Sequence, residues 1–260
     1  MLIVNHLTYA FDSLVVLQDL SFQVNEGEFL CIVGPNGCGK TTLLRLIAGL
    51  TRPTAGGIRL NGQPVQGPGP ERGLVFQEYA LFPWRSVRQN IEFGLEMRGL
   101  SPAVRRRISQ KYIELTGLTG FEDYRPRRLS GGMKQKVSLA RALANDPQVI
   151  LMDEPFAALD CQTRNLMQEE LLSLWEQEKK TILFVTHSVE EAVFLADRIL
   201  VLTARPGRLY ETITVDIPRP RNRVGPELYR LRGHILDVLA SLVSKEQLLQ
   251  AVYESPAARA

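Results

Sequence analysis

Residues Gly34-Pro35-Asn36-Gly37-Cys38-Gly39-Lys40-Thr41 space their glycines, lysine and hydroxyl as GxxxxGK[ST], a pattern suited to holding phosphate. Glycine at 34, 37 and 39 lets the backbone curl until successive N–H groups point into one concavity. The positive end of a following helix reinforces that anion nest. Lys40 reaches toward terminal phosphates, the Thr41 hydroxyl suits Mg²⁺, and Thr42 is a second phosphate contact. Cys38 lies inside the loop, where a helix terminus lowers a thiol's pKa and opens it to alkylation. The plainer reading of Cys38 is a small side chain that the turn tolerates.

A second chemical feature is Val149-Ile150-Leu151-Met152-Asp153-Glu154-Pro155, an apolar run that ends in two adjacent carboxylates. Buried adjacent acids are costly unless a cation or substrate uses them. Open parallel sheets bind ligands at the carboxyl ends of their strands, which turns both acids toward the glycine loop. Asp153 is then placed to hold Mg²⁺, directly or through water, and Glu154 to polarise a water that attacks a γ-phosphate. A third is Leu129-Ser130-Gly131-Gly132-Met133, in which an N-cap serine and two glycines expose backbone N–H groups at a helix start. One phosphate loop and a second phosphate-reading terminus in one chain invite pairing between chains.

The elements that position these groups follow from periodicity. Strands are expected at Leu2–Tyr9, Leu20–Val24, Phe29–Val33, Gly57–Leu60 and Leu74–Phe76, with a hairpin turn at Asn61-Gly62. A helix over Thr41–Leu50 directly follows the glycine loop. From Val87 to Asn145 the period is mainly helical, carried by Ile91, Leu95, Met97, Val104, Ile108, Tyr112, Ile113, Leu115, Met133, Val137, Ala140 and Leu143. This reads as a helical subdomain inserted into an α/β core. The core resumes with a strand Val149–Met152, a helix Gln162–Glu178, a strand Thr181–Val185, a short helix Val189–Ala196 and a strand Arg198–Leu202, an alternation that indicates a parallel sheet. Past Pro218-Arg219-Pro220 come one amphipathic stretch, Leu228–Leu242, and a tail ending Ser255-Pro256-Ala257-Ala258.

With 260 residues, 45% hydrophobic and 23% charged, the chain can bury a sizeable core. No run approaches the roughly 18 apolar residues of a membrane span, and the N-terminus lacks the pattern of a secretion signal. A cytosolic protein is expected. Cys31, Cys38 and Cys161 are odd in number and widely spaced, which argues against a disulfide framework or a zinc site. A net charge of +3 is too balanced to suggest nucleic acid as a partner. The densest basic region, Arg105-Arg106-Arg107 with Arg125, Arg127 and Arg128, reads as a solvated helix face.

A phosphate loop and a carboxylate strand also fit kinases, GTPases and helicases. With Leu129–Met133 added, the sequence closely resembles the ABC transporter ATPase family, over roughly residues 1–215 and with the motifs in the family's order. In that resemblance Tyr9 looks like the aromatic that stacks on adenine, with Phe11 as a fallback. Gly34–Thr42 resembles Walker A, Gln77 the Q-loop glutamine, Leu129–Met133 the signature, Val149–Asp153 Walker B, Ala158-Leu159-Asp160 the D-loop, and His187 the switch histidine. Taken alone, Tyr9 and His187 would be an ordinary strand aromatic and an ordinary satisfied histidine. Met133 departs from the commoner glutamine.

The resemblance implies an α/β fold, a P-loop NTPase (RecA-like) core with an antiparallel β subdomain and an inserted α-helical subdomain. Its expected limits are 1–86 and 149–220 for the core with its β subdomain, 87–148 for the helical subdomain and 221–260 for a C-terminal extension. It further implies a head-to-tail homodimer, with ATP and Mg²⁺ between Walker A of one chain and Ser130-Gly131-Gly132 of the other. Gln77 would sense metal and γ-phosphate and contribute to catalysis with Lys40, Glu154 and His187; Asp160 would couple the two sites.

The loop Glu78-Tyr79-Ala80-Leu81-Phe82-Pro83-Trp84-Arg85-Ser86-Val87 suits a socket for another protein's helix. Phe82-Pro83-Trp84 with Val87 and Asn90, the run Asp153–Asp160, and Pro218-Arg219-Pro220-Arg221 look like the nitrate, sulfonate and taurine importer group. Two transmembrane permease subunits and, indirectly, a solute-binding protein are the implied partners, at the cytoplasmic face of the inner membrane. An exporter or lipid-transport ATPase, a soluble ABC ATPase and a non-catalytic nucleotide-binding module are the alternatives.

Overall fold

Glycine turns and proline breaks cut the chain into short strands and helices, which the computed structural model describes for residues 1–254, with side chains to residue 243. The tail expected at Ser255–Ala258 lies outside the described residues. Two units result: Met1–Asn25, Phe29–Gln66 and the chain from Val185 onward form the first, and Glu26–Glu28 with Gly67–Phe184 the second.

The first unit holds β1 (Leu2–Phe11), β2 (Leu14–Val24), β3 (Phe29–Val33), α1 (Lys40–Ile47), β4 (Ala55–Leu60) and β5 (Gln63–Pro64). The second holds β6 (Arg72–Val75), α2 (Val87–Met97), α3 (Pro102–Leu115), α4 (Gly131–Ala144), β7 (Val149–Asp153), α5 (Cys161–Glu178) and β8 (Thr181–Val185). The chain then completes the first with α6 (Val189–Leu195), β9 (Arg198–Leu202), β10 (Leu209–Thr214) and α7 (Pro226–Glu254).

In the first unit β2, β1, β4 and β5 form an antiparallel sheet. Leu2, Val4 and Leu7 of β1 and Leu17, Leu20 and Val24 of β2 are buried, and the positive φ of His6 in one strand and Asp19 in the other shifts the inward face by one residue between them. β2 begins six residues earlier than expected, because Leu14 and Val15 are exposed and the positive φ of Asp19 interrupts the alternation. Asn61 and Gly62, at φ 47° and 78°, close the β4–β5 hairpin with Leu60 opposite Gln63. β3, buried along its whole length, runs parallel to β9, and β10 adds antiparallel to β9. α1 stops at Ile47, where left-handed Gly49 lets the Leu50 N–H bond the Arg45 carbonyl at 2.9 Å.

In the second unit β6 and β7 pair in parallel, Val75 opposite Met152, and β8 lies next to β7. Helices α2, α3 and α4 pack on one another through Val87, Ile91, Leu95, Tyr112, Ile113, Val137, Ala140 and Leu143. Met97 carries the helical period yet is 66% exposed, since α2 ends there. Ser86 and Gln89 make a reciprocal capping box on α2. Arg106 and Arg107 face solvent on α3, while Arg105 lies 3.8 Å from Glu96.

Candidate functional site

The glycine loop leaves the buried end of β3 and becomes α1 without a spacer. A side chain at Gly34 would meet the Cys38 sulfur at 2.9 Å and the Leu202 carbonyl at 3.0 Å, so only glycine fits. Gly39 has φ 100° and turns the chain into α1. Lys40 is 6% exposed, and its Nζ donates to the carbonyls of Gly34 at 2.9 Å and Pro35 at 3.1 Å. The ammonium is thereby held across the loop, beside the exposed Asn36, Gly37 and Thr41 and the half-buried Thr42. Cys38 is wholly buried, and burial pushes its thiol up more strongly than the Lys40 charge lowers it. That fits the plainer reading of Cys38 as a small packed side chain over a reactive low-pKa one: desolvation of the thiolate outweighs the nearby cation.

The turn between β9 and β10 supplies support that the sequence reading missed. Arg205 Nη2 and Nε donate to the Gly37 carbonyl at 3.3 and 3.4 Å. Gly207 lies so close that a Cβ there would stand 2.1 Å from the Cys38 carbonyl oxygen, and its own N–H and C=O bond Val16 and Gln18 of β2. The Arg205-Pro206-Gly207 turn was the available signal. From the other side Leu17, the strand partner of half-buried Tyr9, reaches within 2.7 Å of where a Gly39 Cβ would be. Tyr9 is therefore one register pair away from the loop.

His187 is exposed, one residue beyond Thr186, whose N–H donates to the Ile32 carbonyl of β3 at 3.2 Å. The Thr186 hydroxyl donates to the buried Glu191 carboxylate at 2.5 Å and accepts from the Ser188 N–H at 2.9 Å. Ser188 caps α6 by accepting from the Glu191 N–H. The histidine thus sits on a turn fixed on both flanks.

In the second unit β7 delivers Asp153, 8% exposed, at its carboxyl end, followed by half-buried Glu154 in a left-handed conformation with φ 45°. Strain of this kind in a non-glycine residue is uncommon and collects at working sites. Gln77, exposed, lies two residues past Val75, so the β6–β7 register brings it to the same sheet end as the acids. Ser130 is exposed and caps α4 through the Met133 N–H at 3.3 Å. Side chains at Gly131 and Gly132 would press on the Tyr79 hydroxyl and on Thr163. Asp160 caps α5, and the Thr163 N–H and hydroxyl hold its carboxyl below the usual range.

The segment between Gln77 and α2 is tightly organised. Buried Asn90 bonds the backbone of Phe82, Arg85 and Ser86, and Phe82 packs on Phe93 with ring centres 4.5 Å apart. Arg141 of α4 donates to the carbonyls of Ala80 at 2.6 Å and Tyr79 at 3.1 Å. Beside this segment Trp84, 67% exposed, borders a groove of about 430 Å³ with Arg85, Gln89, Glu92, Glu96 and Arg105.

Residues 17–157 match the model of the ABC transporter family. The chain belongs to that family. An ABC transporter ATP-binding protein of Methanocaldococcus jannaschii is 56% identical over 88% of this chain and 86% of its own. The nitrate import ATP-binding protein NrtD of Synechocystis sp. is 47% identical over 90% of this chain and 91% of its own. The aliphatic sulfonates import ATP-binding protein SsuB of Bacillus licheniformis is also 47% identical, over 85% and 86%. Among solved structures, the dimeric post-hydrolysis state of the ATP-binding cassette MJ0796 bound to ADP and Pi superposes with a TM-score of 0.73 and 29% identity, covering 84% of this chain and all of that one. The protein is thus an ABC ATPase subunit with the α/β P-loop NTPase fold. Among the described residues no helix is long and apolar enough to cross a membrane.

Proposed function

We propose that this ABC ATPase powers uptake of a small oxyanion or sulfonate, as one half of a head-to-tail homodimer docked on two permease subunits at the cytoplasmic face of a membrane. The supporting observation is the 47% identity, over most of each chain, to both a nitrate and a sulfonate import subunit. Equal likeness to two cargo classes fits a motor whose solute is chosen elsewhere, by a solute-binding protein. The exposed Trp84 and the polar groove beside it suit a permease helix.

In this reading the loop Gly34–Thr42 and Lys40 bind the phosphates of ATP, Tyr9 stacks on adenine, and Ser130-Gly131-Gly132 of the second copy closes on the γ-phosphate. Thr41, Asp153 and Gln77 offer hydroxyl, carboxylate and amide oxygens, a donor set that fits Mg²⁺. When bound, Mg²⁺ would neutralise charge developing on the phosphates. Glu154 orients and deprotonates the attacking water, His187 contacts the γ-phosphate, and Asp160 couples the two sites. Each is a role proposed for that residue.

The deciding experiment is reconstitution of the complete complex in liposomes with a solute-binding protein outside. ATP-dependent accumulation of nitrate or a sulfonate supports the reading. ATP-driven efflux, or hydrolysis without any solute movement, overturns it.

A further inference from the structure

Pro218-Arg219-Pro220-Arg221 entered the sequence reading only as a likeness, yet these arginines and Arg223 gather on one feature, the carboxyl end of α6. The last carbonyls of a helix have no partner within it and carry the negative end of its dipole. Here consecutive carbonyls are met by two guanidinium groups. Arg221 Nη1 donates to Val193 at 3.0 Å, Phe194 at 3.0 Å and Ala196 at 2.7 Å, and Arg219 Nη2 donates to Leu195. Arg221 is 7% exposed and also donates to Ile217 at 2.9 Å and Val215 at 3.3 Å, which locks the strap that carries it. The Arg223 guanidinium lies 3.5 Å from the centre of the Phe194 ring. Arg219 pairs with Asp197, whose other oxygen accepts the Phe29 N–H at 2.9 Å, at the start of the strand that ends in the glycine loop.

A helix of seven residues has little stability of its own. Its first turn is fixed by Ser188, Thr186 and Glu191, and its last by the arginines. His187 is the residue immediately before that N-cap. We propose that Arg219 and Arg221 are positioning residues for His187: by clasping the far end of α6 they hold the helix, and with it the turn that presents the imidazole. The proposal rests on the reading that His187 acts in turnover.

The test uses the full chain in its transporter complex, with Arg221→Lys, which keeps the charge but loses the fork, and Arg219→Gln, which removes the Leu195 and Asp197 contacts. Each is measured alone and with His187→Ala. We expect kcat to fall about tenfold in Arg221→Lys while KM for ATP stays within about twofold. Amide exchange over residues 186–195 should quicken, and the arginine changes should add nothing further once His187 is alanine. Near-normal turnover in His187→Ala alone would remove the reading on which the clasp rests. Loss in His187→Ala with wild-type kcat in both arginine variants, or additive losses in the double variants, would overturn the clasp itself. Arg219→Gln retains five of the Arg221 contacts, so it reports even where Arg221→Lys folds poorly.

Discussion

Arg141 donates to the carbonyl of Ala80 at 2.6 Å, which ties the segment behind Gln77 to the helix that Ser130 begins. Ala80 is itself left-handed, with φ 48°. Removing the donor by Arg141→Leu should cost about 0.5–1.5 kcal/mol, because the exposed Ala80 carbonyl turns to water and only the part-buried Tyr79 carbonyl is left short of a partner. Ala80→Gly should instead be neutral or stabilising, by up to about 1 kcal/mol, since glycine adopts that φ without strain. Urea unfolding of both variants decides; a destabilised Ala80→Gly would mean the positive φ is not strained.

Glu154→Gln should bind ATP with near-native affinity while hydrolysis falls by about 10²–10⁴, the usual range for a lost general base. The nucleotide-bound dimer should accumulate on gel filtration. Near-normal turnover would remove Glu154 from its proposed role.

Gly207→Ala would drive a methyl group into the Cys38 carbonyl at 2.1 Å, with no flexible side chain able to yield. ATP affinity should drop more than about tenfold, a shift above 1.4 kcal/mol. Gly233→Ala in α7 meets nothing within 4 Å and should gain about 0.5–1 kcal/mol of stability without altering affinity. Isothermal titration and thermal melts check the pair.

Cys31 and Cys38 have thiols raised by burial. Above the pKa of about 8.5 for an unfolded thiol, the unfolded chain releases these protons while the folded chain keeps them, so stability falls as pH rises from there. Replacing either by alanine should flatten that alkaline decline. At neutral pH N-ethylmaleimide should label exposed Cys161 and spare the other two, which mass spectrometry reads directly.

Trp84→Ala should weaken permease association and transport more than basal hydrolysis. Equal loss of both would identify a packing role rather than a docking one.

The parts of the molecule that sequence made legible share a local signature. β3, β7 and β8 are buried at every position and apolar except at the end residues Asp153 and Thr181, and the glycine loop and Asn61-Gly62 declare their backbone conformations. β10 was missed because it buries only Ile213 and otherwise reads as a polar edge. Arg141, Arg205, Arg219 and Arg221 were missed as supports for a different reason. Each acts by donating to backbone carbonyls, most of them far away in sequence, and a carbonyl leaves no trace in residue identity. Cys38 has two readings in the sequence, and burial that only the fold supplies favours the plainer one, a small side chain packed in the turn.

The meeting of Gly207, Leu17 and Arg205 around the glycine loop has a thermodynamic consequence. A loop free in solution would have to surrender backbone entropy when a nucleotide arrived, about 1–2 kcal/mol for each residue fixed. In this protein a hairpin and a turn brace the loop through its own backbone, so that much of this ordering belongs to folding. The heat and entropy of nucleotide capture should then reflect phosphate and base contacts, with little contribution from freezing the loop.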